Sequence, residues 1–304
     1  MTDVLAFQPF TGLYEPSAIQ QLPDGRFLVV EDEKSHPFSL ATIAADGQVH
    51  STPLLPPEGE DDSVWKLDDL EALAIDPAGW VYALTSHSRS ESGEMKKARD
   101  KLVRFRVEGG RMTSPSLVRE LKPALLAAHP ALAAAAEVTE VKAEGGLNIE
   151  ALEIGADGQR LFVGFRSPLI DGKAIIACVE NPAAMFDSGE PPRVASDLIT
   201  LDLGGNGIRG MAWVPALAGH LIISGPVGRQ PVPFQLWFWS GRTGEAARRV
   251  RVGDRQGFEH AEGVTPAVID GQARIVIVSD DGSRADGRYA HYLLLDPAQL
   301  TIEG

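Results

Sequence analysis

The chain has 304 residues, and its hydrophobic content of 44% is ample for an apolar core. Its 28 Lys and Arg residues against 42 Asp and Glu residues give a net charge of −14, which argues against a nucleic-acid partner because phosphates need a basic face. The charge favours cations or basic ligands, and it is equally consistent with a role in solubility alone.

The cysteine content and the N-terminus exclude further classes. Cys178 is the single cysteine, so no intramolecular disulfide is possible, and its apolar surroundings predict a buried, inert thiol. The first residues lack a basic region followed by an apolar stretch, so no signal peptide is expected. No apolar run is long enough to span a bilayer. We therefore expect a cytoplasmic protein without a membrane segment.

Five similar segments recur along the whole chain, and in most of them a glycine-containing turn and an apolar strand follow. They begin at Glu15, Glu71, Glu150, Arg209 and Glu262. A repeat of this size, made of short strands, is typical of a β-propeller. The sequence predicts an all-β fold, a five-bladed propeller that forms a single domain over residues 1–304. Six blades stay open as an alternative if residues 138–147 or the C-terminus contain a degenerate unit.

The predicted elements follow in chain order. Four strands are expected in the first repeat (17–22, 26–31, 40–44 and 49–55) and four in the second (71–75, 80–85, 101–107 and 111–118). Residues 121–137 are rich in Ala and Leu, which predicts one or two short helices inserted between blades. The fifth repeat has only three clear strands. We therefore expect residues 4–10 to complete the last blade and close the ring.

The repeat also predicts where chemistry is possible. The innermost strands of all blades run in the same sense, so the five starting residues should converge at one mouth of the central channel. The ends of the second strands should join them there, and they carry Asp32, His87, Arg166, Ser224 and Asp280.

Four glutamates in one ring repel each other unless a cation, Arg209 or protonation of one member compensates. Hard oxygen ligands suit Ca²⁺ or Mg²⁺. The candidate metal ligands are Glu15, Glu71, Asn148, Glu150, Glu262 and Asp280. The alternative is that a residue repeated in every blade performs the same structural task in each one.

Residues that depart from the repeat are the candidates for catalysis. Arg209 stands where other blades have glutamate, and Arg166 lies at a strand end, so both are candidates to hold an anionic group. His87 is a candidate general acid or base. The alternative for His87 is a hydrogen-bonded residue of the channel wall.

Two motifs have patterns that are typical of binding sites, but we interpret both as structural. Residues 205–210 match the glycine pattern of dinucleotide-binding folds, but a strand-like segment follows instead of a helix, so we interpret them as turn glycines. The aromatic segment 233–239 alternates like a third strand that packs between blades.

Several stretches together resemble a bacterial family of unknown function, family 3616. They are Asp69-Leu-Glu-Ala-Leu-Ala with Thr85-Ser-His-Ser-Arg, Leu147-Asn-Ile-Glu-Ala-Leu with Gly164-Phe-Arg-Ser-Pro-Leu, Gly207-Ile-Arg-Gly-Met-Ala with Ser224-Gly-Pro, and Glu262-Gly-Val with Ser279-Asp-Asp-Gly. The resemblance implies a propeller distantly similar to phytase-like and lactonase-like propellers. Those proteins often hold Ca²⁺ at the channel mouth and hydrolyse phosphate esters or lactones.

Two functional hypotheses follow. The first is a site for a small anionic molecule or a divalent cation at the channel mouth, as in a metal-assisted hydrolase of a phosphorylated or lactone-like metabolite. The second is a non-catalytic propeller that binds a protein partner through its loop-rich face.

Overall fold

The computed structural model describes residues 6–32, 37–44, 46–57, 62–141, 145–155, 157–228, 232–253, 255 and 257–304. It confirms the predicted five-bladed β-propeller, since five antiparallel sheets are arranged as a ring. The first strand of each blade lines the central channel, and the next strands follow outward in chain order.

The blades are described by their strands, from the channel outward. The first contains β2 (Pro16–Gln21), β3 (Phe27–Glu31), β4 (Phe38–Ile43) and β5 (Val49–Pro53). The second contains β6 (Leu70–Ile75), β7 (Val81–Thr85), β8 (Leu102–Glu108) and β9 (Arg111–Val118). The third contains β10 (Asn148–Ile154), β11 (Leu161–Ser167), β12 (Ala174–Val179) and β13 (Ile199–Leu201). The fourth contains β14 (Gly207–Val214), β15 (Gly219–Gly225), β16 (Gln235–Trp239) and β17 (Arg248–Val252). The fifth contains β18 (Ala261–Ile269), β19 (Gln272–Ser279), β20 (His291–Leu295) and β1 (Gln8–Pro9).

The N-terminal strand closes the ring, as predicted from residues 4–10, of which positions 4 and 5 lie outside the described residues. Gln8 pairs with Tyr292 and Pro9 with His291, so β1 covers the outer edge of β20. The C-terminus forms a strand that the sequence analysis did not assign to the fourth blade. A short strand, β21 (Leu300–Ile302), pairs with β17 and adds a fifth strand to the fourth blade. The two chain ends therefore complete different blades.

The apolar core is divided into five clusters, one between each pair of neighbouring blades. Strand β16 shows how the alternation of side chains feeds two of them. Leu236 and Phe238 pack toward the fifth blade, whereas Trp237 and Trp239 pack toward the third. The aromatic segment is thus part of the core between blades, as its alternation predicted.

The predicted insertion forms two helices, α2 (Leu121–Ala128) and α3 (Pro130–Ala136). Proline stands at the first turn of α3, where its missing N–H costs nothing. Leu121, Leu125 and Leu132 are buried in the core between the second and third blades. Shorter helices that the sequence analysis did not anticipate are α1 (Asp62–Trp65), α4 (Pro182–Asp187), η1 (Lys97–Arg99), η2 (Pro215–Leu217) and η3 (Pro297–Gln299).

Within the described part of the chain, no helix is both long enough and apolar enough to cross a membrane.

Closure of the ring can be tested at Phe10, whose side chain is 1% exposed and lies 4.9 Å from the ring of Tyr292. Phe10→Ala removes this anchor of the N-terminal strand, and we expect a loss of about 3–5 kcal/mol in the free energy of unfolding. Urea unfolding measures it. Phe7→Ala is the matched control, because Phe7 is only partly buried and should cost clearly less. Equal losses in the two variants would argue against a special role for Phe10 in closure.

Candidate functional site

The inner strand of every blade carries a bulge close to its start. In the first blade, Pro16 pairs with Glu31 and Ala18 with Val30, so Ser17 is skipped in the pairing. The residues skipped in the other blades are Glu71, Glu150, Arg209 and Glu262. A bulge redirects its extra residue. All five skipped residues line one cavity at the mouth of the channel.

The bulges correct the alignment of the first repeat. Glu15 was aligned with the glutamates of the other blades, but the structurally equivalent residue is Ser17, two positions later. Glu15 lies just before β2 and is not among the residues that line the cavity. The ring at the mouth therefore contains three glutamates, one arginine and one serine.

The glycines of the dinucleotide-like pattern have two different tasks. Gly205 has a φ of 79° in the turn that precedes β14, as predicted. Gly207 and Gly210 lie inside β14 instead, which corrects their interpretation as turn residues. A Cβ at Gly210 would collide with the backbone carbonyl of Glu262, so glycine lets two inner strands approach closely beside the site.

The cavity has a volume of about 680 Å³ and draws side chains from all five blades. Two segments outside the inner strands complete its wall, namely residues 88–99 and residues 139–141. The acidic lining residues are Asp32, Asp69, Glu71, Glu91, Glu140, Glu150, Glu262 and Asp280, and the basic ones are Arg89, Lys96, Arg99, Arg166 and Arg209. Carboxylates thus outnumber cations at the mouth, in agreement with the acidic charge of the whole chain.

Arg209 lies between two glutamates from the neighbouring blades. Its guanidinium forms an ion pair with Glu150 at 3.0 Å and a hydrogen-bonded ion pair with Glu262. Glu150 and Glu262 keep the pKa of Arg209 above its ordinary value despite burial. Arg209 is therefore the compensating cation among the alternatives considered for the ring.

Glu150 also accepts hydrogen bonds from two side chains of its own blade. Arg166 donates to Glu150 Oε1 at 3.0 Å, and the amide of Asn148 donates to the same oxygen at 2.8 Å. Arg166 also donates to the carbonyl of Pro226 at 3.0 Å, which links the third and fourth blades. Asn148 thus orients Glu150.

The basic residues at the rim are engaged as well. Arg99 forms ion pairs with Asp69 at 2.9 Å and Asp68 at 3.6 Å, and Lys96 lies 3.6 Å from Asp68. Arg89 donates to the carbonyl of Ala136 at 2.9 Å and so ties the rim to α3. Sequence reasoning did not name Arg99 as a site residue, because its position carries no repeat signal. It also did not name Asp69, although Asp69 precedes Glu71 by two residues as Asn148 precedes Glu150.

Besides exposed Glu140 in the segment 139–141, three carboxylates of the cavity have no hydrogen bond or ion pair to any residue that the structure describes: Asp32, Glu71 and Asp280. Burial raises the pKa of Asp280 to about 6, with Glu15 as the next cause. Burial, followed by the charge of Glu150, raises the pKa of Glu71 well above its ordinary value. Burial and the nearby Asp69 raise the pKa of Asp32. We call these three residues the unpaired carboxylates.

His87 lies at the channel-mouth end of the second blade, but its side chain does not line the cavity. Its side chain is 1% exposed, it is not a lining residue, and its φ of 55° is left-handed. Burial lowers the pKa of His87 to about 3, so the imidazole is neutral near pH 7. Ser224 is likewise buried, where its hydroxyl accepts a hydrogen bond from the indole of Trp237.

Three of the predicted metal ligands are already bound to other side chains. Glu150 and Glu262 are paired with Arg209, and Asn148 is bound to Glu150. Across the described ranges, no three acidic, histidine or cysteine side chains are placed so that they can hold one metal ion.

Fold and site together define a β-propeller with an acidic cavity at its channel mouth. A model of the family described as "Protein of unknown function (DUF3616)" matches residues 119–296, more than half of the chain, so this protein belongs to that family. The match begins after the second blade. No curated protein sequence matches the chain.

Several of the solved structures with a similar fold are described as glucose or aldose sugar dehydrogenases. A Thermus thermophilus protein, a candidate oxidoreductase (glucose dehydrogenase), is 19% identical with a TM-score of 0.47, covering 96% of this chain and 100% of that one. The PQQ-bound aldose sugar dehydrogenase of Streptomyces coelicolor is 18% identical with a TM-score of 0.44, covering 98% of each chain. The likeness at these values concerns the fold alone.

Removal of Arg209 tests its role as the compensating cation. Arg209→Met leaves Glu150 and Glu262 facing each other in a buried site, and we expect a loss of about 3–5 kcal/mol in the free energy of unfolding near pH 8. Burial already raises the pKa of Glu262 to about 8, and loss of the guanidinium raises it further. A carboxyl with a raised pKa keeps its proton in the folded protein at acid pH and loses it as pH rises. The destabilisation caused by its negative charge is therefore small at acid pH, and the deficit should shrink toward pH 5.

Urea unfolding at pH 5, 6.5 and 8 measures this deficit. Arg209→Lys, which keeps a positive charge, serves as the control, and Arg209→Met combined with Glu262→Gln should recover part of the loss. A deficit that is independent of pH would contradict the electrostatic role.

Proposed function

We propose that this protein binds a small organic cation in the cavity at its channel mouth. The observation that carries the proposal is the set of unpaired carboxylates, which enter one cavity from the first, second and fifth blades. Neighbouring carboxylates repel each of the three, and a bound cation relieves that repulsion. The acidic charge of the chain also raises the local concentration of cations.

The basic residues of the cavity argue against an anion as the ligand. Arg209 and Arg166 both pair with Glu150, and Arg99 pairs with Asp69. An anion would have to displace these carboxylates and leave them buried without a cation, which is expensive. A cation leaves the existing pairs intact.

The size and spread of the site favour an organic cation. A volume of about 680 Å³ lies within the range of small-molecule pockets. A single Ca²⁺ ion needs six to eight oxygens at about 2.3–2.6 Å. The unpaired carboxylates come from three blades, and a molecule with two amino groups can reach carboxylates that one ion cannot bridge.

Binding of such a ligand is coupled to protons. The pKa of Asp280 is raised to about 6, and those of Asp32 and Glu71 are raised as well, so these carboxyls keep their protons to a higher pH than usual. A cation favours the ionised forms and expels these protons. The affinity should therefore increase as pH rises from about 6 to 8.

Calorimetric titration with 1,4-diaminobutane at pH 6, 7 and 8 tests the proposal. We expect tighter binding at higher pH and proton release, seen as a heat that changes with the ionisation enthalpy of the buffer. The neutral analogue 1,4-butanediol should bind far more weakly, because it cannot pair with the carboxylates.

Variants locate the binding. Glu71→Gln and Asp280→Asn should each weaken binding of the diamine by about tenfold or more. Glu108→Gln is the matched control, because Glu108 is exposed at the opposite end of β8. Diamine binding that survives both cavity substitutions would place the ligand elsewhere and sink the proposal.

The metal-assisted hydrolase expected from the sequence is a second candidate, since Arg166 and Arg209 line the same cavity as the carboxylates. Titration of chelator-treated protein with Ca²⁺ and Mg²⁺ tests the metal. A panel of phosphate esters and lactones, run on wild type, Glu150→Gln and Arg209→Ala, tests hydrolysis. Silent titrations and an inactive wild type would remove this candidate. A protein partner recovered in that case would favour the non-catalytic alternative.

A further inference from the structure

A second cavity of about 880 Å³ lies away from the channel mouth, between the segment 95–101 and the start of α2. Its apolar contributions come from Met95, Ala98, Pro123 and Leu126. Met95 is 69% exposed, one of the most exposed large hydrophobic side chains described. Apolar side chains gathered around an open groove are a feature of binding sites. We call this cavity the basic groove, because most of the charged residues that line it are basic.

The basic groove has the opposite charge to the rest of the chain. Five basic residues and one acidic residue line it, in a protein with a net charge of −14. Lys122 pairs with the acidic residue, Asp100, at 2.9 Å. The Lys101 ammonium donates to a backbone carbonyl at 2.7 Å.

Three cations of the groove stay available for a ligand. The side chains of Lys66, Lys97 and Arg119 are exposed and have neither a hydrogen bond nor an ion pair to another described residue.

The groove is separate from the channel-mouth cavity, although one segment forms part of both walls. Lys96 and Arg99 line the channel mouth and pair with acidic residues there. Lys97 and Ala98 line the groove. The segment thus offers an acidic, cation-seeking site on one side and a basic, partly apolar site on the other.

We propose that the basic groove binds a small amphipathic carboxylate, an organic acid with an apolar body. The apolar body packs on Met95, Pro123 and Leu126, and the carboxylate pairs with the free cations at the edge. A purely polar anion leaves the apolar wall exposed to water, and a neutral apolar molecule leaves the cations without partners. An amphipathic anion covers the apolar wall and also pairs with the cations. This class of molecule therefore complements the groove in both shape and charge.

Titration calorimetry with octanoate tests this assignment on the full chain. Octanoate should bind with 1:1 stoichiometry, and acetate and 1-octanol should each bind at least about tenfold more weakly. Acetate has the charge without the body, and 1-octanol has the body without the charge. No measurable binding of octanoate, or equal binding of octanoate and 1-octanol, would overturn the proposal.

Substitutions at exposed positions place the ligand without disturbing the core. Lys97→Glu combined with Arg119→Glu should weaken octanoate binding by about tenfold, and Met95→Asp should weaken it comparably. Lys173→Glu, an exposed lysine of the third blade, is the matched control and should leave the affinity within about twofold of wild type. Unchanged affinity in the groove variants would overturn the assignment. Binding of 1,4-diaminobutane, measured in parallel, should be independent of these changes.

Discussion

The bulge at the start of each inner strand is the constraint on which the candidate site depends. A regular strand turns alternate side chains toward opposite faces, and in a propeller those faces pack against neighbouring blades. One unpaired residue per inner strand breaks this alternation at Ser17, Glu71, Glu150, Arg209 and Glu262. Five-fold repetition brings these residues to a single cavity. The same device that shapes the channel wall thus concentrates charge at its mouth.

Concentrated charge must then be compensated in a place where water is scarce. Arg209 does this for Glu150 and Glu262 from a position that carries glutamate in three other blades. Replacing one acid of the ring by a base turns repulsion into a bridged pair, which explains how the ring is tolerated in the folded protein. The compensation is local, however. Asp32, Glu71 and Asp280 take no part in the pairing network of the described residues, and their pKa values are raised.

The helical insertion connects the core to both cavities. Leu121, Leu125 and Leu132 anchor α2 and α3 in the apolar cluster between the second and third blades. Arg89 ties the rim segment to the end of α3, and Lys122 at the start of α2 pairs with Asp100. The segment 88–101 is thereby held between the blades and the helices. Its residues line the channel mouth on one side and the basic groove on the other.

The sequence by itself determined the propeller, its five blades, the closing N-terminal strand and the helical insertion, because these depend on repeated local patterns of strands, turns and helix formers. It also placed Glu71, Glu150, Arg209 and Glu262 at one end of the channel. Only the tertiary structure decided that Ser17 replaces Glu15 in the ring, since pairing register is a property of two strands and not of one. The pairing of Arg209, the burial of His87 and the strand β21 on the fourth blade were also decided there. Each depends on contacts between segments far apart in the chain, which no local pattern encodes.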